Sequence, residues 1–235
     1  YTEWQGGLAQ QGYHMPDFAD FMKSEYIEIP VKDHRQVLHA EFRSDPVANP
    51  LHTPSGRVEI FSEAIESFGY ADCPGHPVWL EPTEWLGQSD ARYPLHLISN
   101  QPKTRLHSQL DVGDTSRASK IQSREPARMH PADAAARGLT SGDVVRIRND
   151  RGSCLAGLTL SESLRPGVVQ LSTGAWYDPD PQDPSFCRHG NPNVLTADLP
   201  SSALSQGTTA QHALVEGEKW DAPLPPIRVH EPPRF

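Results

Sequence analysis

The chain has 235 residues, 36% of them hydrophobic, with 23 prolines and 17 glycines, a balance that suits one loop-rich domain, or one and a half, around a modest core. Its formal net charge of -9 argues against a nucleic-acid partner gripped through phosphates, although Lys and Arg gather between Lys103 and Arg151. No apolar run approaches about 20 residues, so no membrane span is predicted; the three cysteines, Cys73, Cys154 and Cys187, offer neither a Cys-x-x-Cys pair nor an even disulfide set.

Residues 1–52 show no sustained periodicity. The start, Tyr1-Thr2-Glu3-Trp4-Gln5, has no initiator Met, basic stretch or apolar leader and reads as the interior of a longer protein. A short helix is predicted over 18–26 and an extended piece over 28–31. Over 53–92 a strand, a helix and a linker are predicted. Pro54-Ser55-Gly56 is a turn signal, and Val58 and Ile60 alternate with Arg57 and Glu59 as in a half-buried strand. The helix runs over 62–68, with Ser62 as N-cap and Gly69 as its stop. From residue 93 the pattern is mostly strands. A helix over 131–137 begins on Pro131 and ends at Gly138. The turn Ser141-Gly142-Asp143 then leads into an alternating strand to Arg148, Asn149 to Gly152 make a hairpin turn, and a partner strand returns over 154–160. Another strand is predicted over 168–171. The segment 219–235 holds five prolines and reads as an extended arm or a disordered end.

Four polar loops interrupt these strands. Apolar Leu95, Leu97 and Ile98 give way to Ser99-Asn100-Gln101-Pro102-Lys103-Thr104-Arg105-Leu106-His107-Ser108-Gln109. That loop brings together the amide, hydroxyl, imidazole and guanidinium groups needed to hold a polar heterocycle or phosphates. The second is Thr173-Gly174-Ala175-Trp176-Tyr177-Asp178, the third His189-Gly190-Asn191-Pro192-Asn193-Val194-Leu195-Thr196, and the fourth runs from Leu204 through Gln206-Gly207 to Gln211. Taken singly, each loop also fits a solvated surface segment, Arg105 a salt bridge, and Trp176 and Tyr177 ordinary packing.

In order and content, the four loops resemble the C-terminal region of the molybdopterin oxidoreductases of the dimethyl-sulfoxide reductase family, nearest the branch that reduces S-oxides and N-oxides. The resemblance covers roughly residues 53–216. It implies a mainly β fold with a few short helices: a double-psi β-barrel over 93–218 that binds molybdopterin dinucleotide, preceded by a remnant of another domain over 1–52. The implied cofactor is molybdopterin guanine dinucleotide, two per molybdenum, with the metal ligated outside this chain. The implied cofactor-binding residues are Ser99, Asn100, Gln101, Arg105, His107, Ser108, Gln109, Trp176, Tyr177, Asn191, Asn193, Gln206, Gly207 and Gln211. Arg105 is expected to pair bidentately with phosphate. His189 is expected to be a hydrogen-bonding loop residue and not a metal ligand, since no second histidine lies at ligand spacing.

The resemblance implies that in the S-oxide and N-oxide reductase branch the metal is ligated by a serine in an earlier part of the protein, which this sequence does not contain. No nucleophile–base pair, paired carboxylates or metal cluster is evident either, so the chain alone is expected to bind part of the cofactor and to catalyse nothing. The expected partners are the rest of the same enzyme, a small S-oxide or N-oxide and an electron donor. Cytoplasm and bacterial periplasm are both open. The competing reading is a free-standing double-psi barrel that binds without catalysis.

Overall fold

The computed structural model describes residues 1–24, 26–29, 37–209 and 212–232, in two compact units, Tyr1–Ile60 and Phe61–Phe235. The first unit carries α1 (Thr2–Gln10), α2 (Phe18–Phe21) and α3 (Ala40–Ser44). Asp17 caps α2 by accepting from the Asp20 N–H, and the Tyr1 ring packs on Trp4, Phe18 and Phe21. Among the described residues, Met15 is its one buried hydrophobic side chain, so this segment has almost no core of its own. The predicted extended piece over 28–31 lies partly outside the described residues. The predicted strand around Val58 does not form: Val58 and Ile60 are 72% and 82% exposed, because alternation in so short a run makes a strand only where a neighbour supplies hydrogen bonds.

In the second unit α4 (Glu63–Glu66) starts where the sequence predicts, with Ser62 Oγ accepting from the Ile65 N–H at 3.3 Å. Seven strands follow: β1 (Leu95–Ile98), β2 (Pro126–Met129), β3 (Val144–Arg148), β4 (Ser153–Leu160), β5 (Val168–Leu171), β6 (Phe186–Cys187) and β7 (His212–Lys219). Between β1 and β2 lies α5 (Asp114–Ser119), and between β2 and β3 lies α6 (Pro131–Ala135). α6 is entered on Pro131 and capped by His130 Nδ1, and its C-terminus leads to Gly138 at φ +63°.

The strands run in the order β2-β5-β1-β7-β3-β4, and a further β2–β4 pairing closes them into a six-stranded barrel; β6 adds to the outside of β4. Exchanging β1, β2 and β3 with β4, β5 and β7 maps each pairing onto another of the same sense. Parallel β1–β5 falls on β4–β2, antiparallel β1–β7 falls on β4–β3, and β2–β5 and β3–β7 fall on themselves. This internal two-fold with two parallel pairs is the expected double-psi barrel. Its interior holds Leu97, Met129, Ile147, Leu158, Leu171 and Val215, all fully buried. Each stabilises the fold by roughly 1.5–3 kcal/mol over exposure.

The symmetry also shows where the site must lie. β1 and β5 are parallel neighbours, with Ile98 beside Gln170, so the chain leaves both strands at the same end of the barrel. Two long connections start there, 99–125 after β1 and 172–211 after β5. No helix of the described residues is long and apolar enough to cross a membrane.

Candidate functional site

The loops after β1 and β5 are stitched together at their roots. The Thr173 N–H donates to the Asn100 carbonyl at 2.9 Å, and Ser172 Oγ donates to Asn100 Oδ1 at 3.2 Å. His107 holds a left-handed backbone at φ +50°, which costs on the order of 1 kcal/mol. Gln101 offsets that strain by clamping the residue twice, through the His107 N–H at 3.1 Å and its Nδ1 at 2.9 Å. Gly174 lies directly beneath. At φ +89°, any Cβ on it would come within 1.9 Å of the His107 carbonyl, so only glycine lets the two loops meet.

Two adjoining clefts open over this junction. The larger, about 600 Å³, is lined by Ser99, Gln101, His107, Thr173 and Asn193, with residues 196–198 and Thr208 completing its wall. The smaller, about 360 Å³, shares His107, Thr173 and Asn193 and adds Ser108, Trp176, Tyr177 and Asn191. Asn191 Oδ1 accepts from the Asn193 N–H at 2.9 Å, which fixes the turn that presents Asn193 to both. Trp176 Nε1 donates to the Ser108 carbonyl at 2.7 Å, setting the indole upright against the first loop. Ser99 lines the larger cleft, and its buried Oγ has no hydrogen-bond partner among the described residues. A buried hydroxyl without a partner at a cleft wall calls for an explanation, a ligand or an ordered water being two.

A known family described as Molydopterin dinucleotide binding domain matches residues 95–214, from β1 into β7. The chain belongs to this family. Among curated relatives it is 44% identical over 223 residues to a dimethyl sulfoxide/trimethylamine N-oxide reductase of Cereibacter sphaeroides, covering 94% of this chain and 27% of that protein. It is 46% identical over 229 residues to trimethylamine-N-oxide reductase 1 of Escherichia coli K12, covering 93% and 27%, and 46% identical over 232 residues to a biotin sulfoxide reductase of Cereibacter sphaeroides, covering 95% and 30%. The chain thus spans little more than a quarter of these relatives. Among solved structures, acetylene hydratase from Pelobacter acetylenicus superposes with a TM-score of 0.60 at 21% identity, over 73% of this chain and 24% of that one, a likeness of fold.

In this dinucleotide-binding domain the sequence-expected residues divide by position. Ser99, Gln101, His107, Ser108, Trp176, Tyr177, Asn191 and Asn193 face the clefts. Asn100 stands behind them, occupied with Gln101, Ser172 and Thr173. Gln109, Gln206 and Gly207 are exposed and line neither cleft, and Gln211 lies outside the described residues. Thr173, Thr196, Asp198 and Thr208 line the larger cleft without having been singled out; short polar residues in a loop carry no periodicity that would mark them.

Arg105 requires a correction. Its side chain is wholly buried and every guanidinium nitrogen has a protein partner. Nε donates to the His107 carbonyl at 3.1 Å, Nη1 to Ser116 Oγ at 3.2 Å, and Nη2 to the Thr173 carbonyl at 3.0 Å. Nη2 also lies 3.1 Å from Glu125 Oε1. Arg105 therefore ties together the walls of the clefts from beneath and presents nothing to phosphate. The salt-bridge alternative is what the structure shows.

Around it lies a buried ionic hub of Arg105, Lys120, Asp111 and Glu125, two cations against two anions. Lys120 Nζ donates to Asp111 Oδ1 at 2.7 Å and also to Glu125, while Asp111 Oδ2 accepts from the Trp176 N–H at 2.9 Å. Burial alone would raise the Asp111 pKa; the Lys120 ammonium and the Trp176 N–H outweigh it and hold the carboxyl far below its ordinary range. Burial, then the nearby Lys120 charge, lowers the His189 pKa to about 4, so that imidazole is neutral at pH 7.

The tail brings His230 against His189, ring centroids 5.0 Å apart, and one donor atom each from Asp111, His189 and His230 falls within 4.8 Å of the others. The 40 residues between the two histidines hide this approach in the sequence. His189 Nε2 and His230 Nε2 are buried with no hydrogen-bond partner among the described residues, whereas His189 Nδ1 and the Asp111 carboxylate are engaged. His189 Nδ1 faces the Trp176 carbonyl at 3.0 Å and must carry its proton there, and the Asp111 charge is already neutralised by Lys120 and Arg105.

Proposed function

We propose that this chain is the cofactor-binding C-terminal portion of a larger molybdenum reductase acting on S-oxides or N-oxides, and that its clefts hold molybdopterin guanine dinucleotide, two per molybdenum in the whole enzyme. The observation that carries the reading is the orphaned Ser99 hydroxyl in a polar cleft, set in a domain of this family. When bound, the cofactor supplies two-electron redox chemistry at molybdenum, whose protein ligand lies outside this chain. Ser99, Gln101, His107 and Asn193 would orient a fused polar ring through directional hydrogen bonds. Trp176, Tyr177, Asn191 and Ser108 would flank it, the indole excluding water from one side. This portion holds and positions and does not turn over substrate by itself. The rest of the enzyme and an electron donor are its proposed partners.

The test is the molybdenum and pterin content of the native protein carrying this sequence, read beside its intact mass. About two pterins per molybdenum in a protein far heavier than the 26.0 kDa of this chain is expected. A native mass near that value with neither component would overturn the proposal in favour of a non-catalytic binding barrel.

A further inference from the structure

We propose that Asp198 selects the heterocycle held in the larger cleft. Its carboxylate accepts from the adjacent ring N–H and exocyclic NH2 of a 2-amino-4-oxo ring, the donor edge that pterin and guanine share. This rests on reading the cleft as the dinucleotide site.

Among the described residues, Asp198 is the one acidic residue lining that cleft, and no Lys or Arg lines it. The residue is exposed and makes no hydrogen bond or ion pair with another described residue. Its backbone is nonetheless fixed from both sides. Leu195 is fully buried, and its carbonyl accepts from Asn149 Nδ2 at 2.7 Å and Arg151 Nε at 2.8 Å. Beyond Asp198, the Leu199 carbonyl accepts from Thr209 Oγ1 at 3.3 Å, and Pro200 bridges to Thr208. The fold therefore presents an uncompensated carboxylate to a cleft proposed to receive an anionic ligand.

A pyrophosphate beside it would be repelled, so the ring end of the ligand must face Asp198. A carboxylate only accepts, and its two oxygens match two adjacent donors in one plane. Cytosine and adenine instead place an acceptor nitrogen beside their amine, so one of the two contacts becomes lone pair against lone pair.

The experiment titrates the native full-length protein, prepared without cofactor, with GMP, CMP and free pterin, and repeats this for Asp198→Asn and Asp198→Glu. The wild type is expected to prefer GMP or pterin over CMP by at least about tenfold, as for a bidentate base contact. Asp198→Asn should abolish that margin at an unchanged melting temperature, and Asp198→Glu, which keeps the carboxylate, should retain part of it. Loss confined to GMP assigns the guanine end; loss confined to pterin assigns the pterin end. A margin that survives in Asp198→Asn, or no margin in the wild type, overturns the role of Asp198. If the native protein still carries molybdenum and pterin, the cofactor reading then stands; if it carries neither, both fail.

Discussion

Arg105 shows how a residue type and its loop can be read correctly and its partner missed. A guanidinium in a polar loop after a strand suits phosphate, but here it meets Asp111 and Glu125 underneath the loop. Removing one member of a buried, hydrogen-bonded ion cluster leaves its partners uncompensated, at a cost of about 3–5 kcal/mol. Arg105→Ala should therefore lower thermal stability sharply in protein with and without cofactor. Equal melting temperatures with only cofactor content reduced would restore the phosphate role. Ser99 is the opposite case: expected at the cofactor from its loop, it lines the larger cleft with a buried hydroxyl that has no hydrogen-bond partner among the described residues.

At the scale of elements, the clefts depend on two loops meeting at one backbone contact. Gly174→Ala places a methyl carbon against the His107 carbonyl and a side chain at φ +89°. Strain of this kind costs roughly 1–3 kcal/mol before any clash is counted. The loop after β1 must therefore shift. The expected outcome is a destabilised protein with markedly reduced cofactor occupancy, measured by thermal melting and pterin content; wild-type values for both would show that the contact does not hold the loops. Among the strands, β3, β4 and β5 were legible because β-branched alternation and hairpin punctuation mark them. β7 was not recognised, although Ala213, Val215 and Gly217 alternate inward, because its sequence also contains two glutamates and a lysine. Those charges are tolerated because they point outward, where Glu216 and Glu218 pair with Arg137, Arg146 and Arg148.

For the whole molecule, the buried hub sets the response to acid. His189 is neutral in the fold with a pKa lowered to about 4, whereas an unfolded histidine titrates near about 6.5. The unfolded chain therefore takes up a proton first, and stability falls as pH drops from about 6.5 to about 4, by an amount on the order of 3 kcal/mol. Asp111, whose pKa is also depressed, extends the loss below about pH 4, where the unfolded carboxyl protonates. Melting temperature against pH should decline through this window, and His189→Gln should flatten its upper part. The same slope in both proteins would remove His189 from the account. The tail belongs to this hub as well. It was expected as an arm or a disordered end, but the Arg228 N–H donates to Asp178 Oδ2 at 2.9 Å, and His230 packs on Trp176 and His189.

The sequence alone supplied several of the strands and the four polar loops that contain most of the cleft-facing residues, and the resemblance those loops carry implied the double-psi barrel. Alternation, turn glycines and runs of polar side chains are properties of local order, written in neighbouring residues. Only the tertiary structure decided which polar groups face the clefts and which lie beneath them. Arg105 and Glu125, or His189 and His230, meet through contacts that barrel closure creates between distant loops, and burial then converts a solvated charge into a structural one. Asp198 emerged for the same reason. Nothing adjacent in the chain marks it, and its meaning comes from the wall in which the fold sets it.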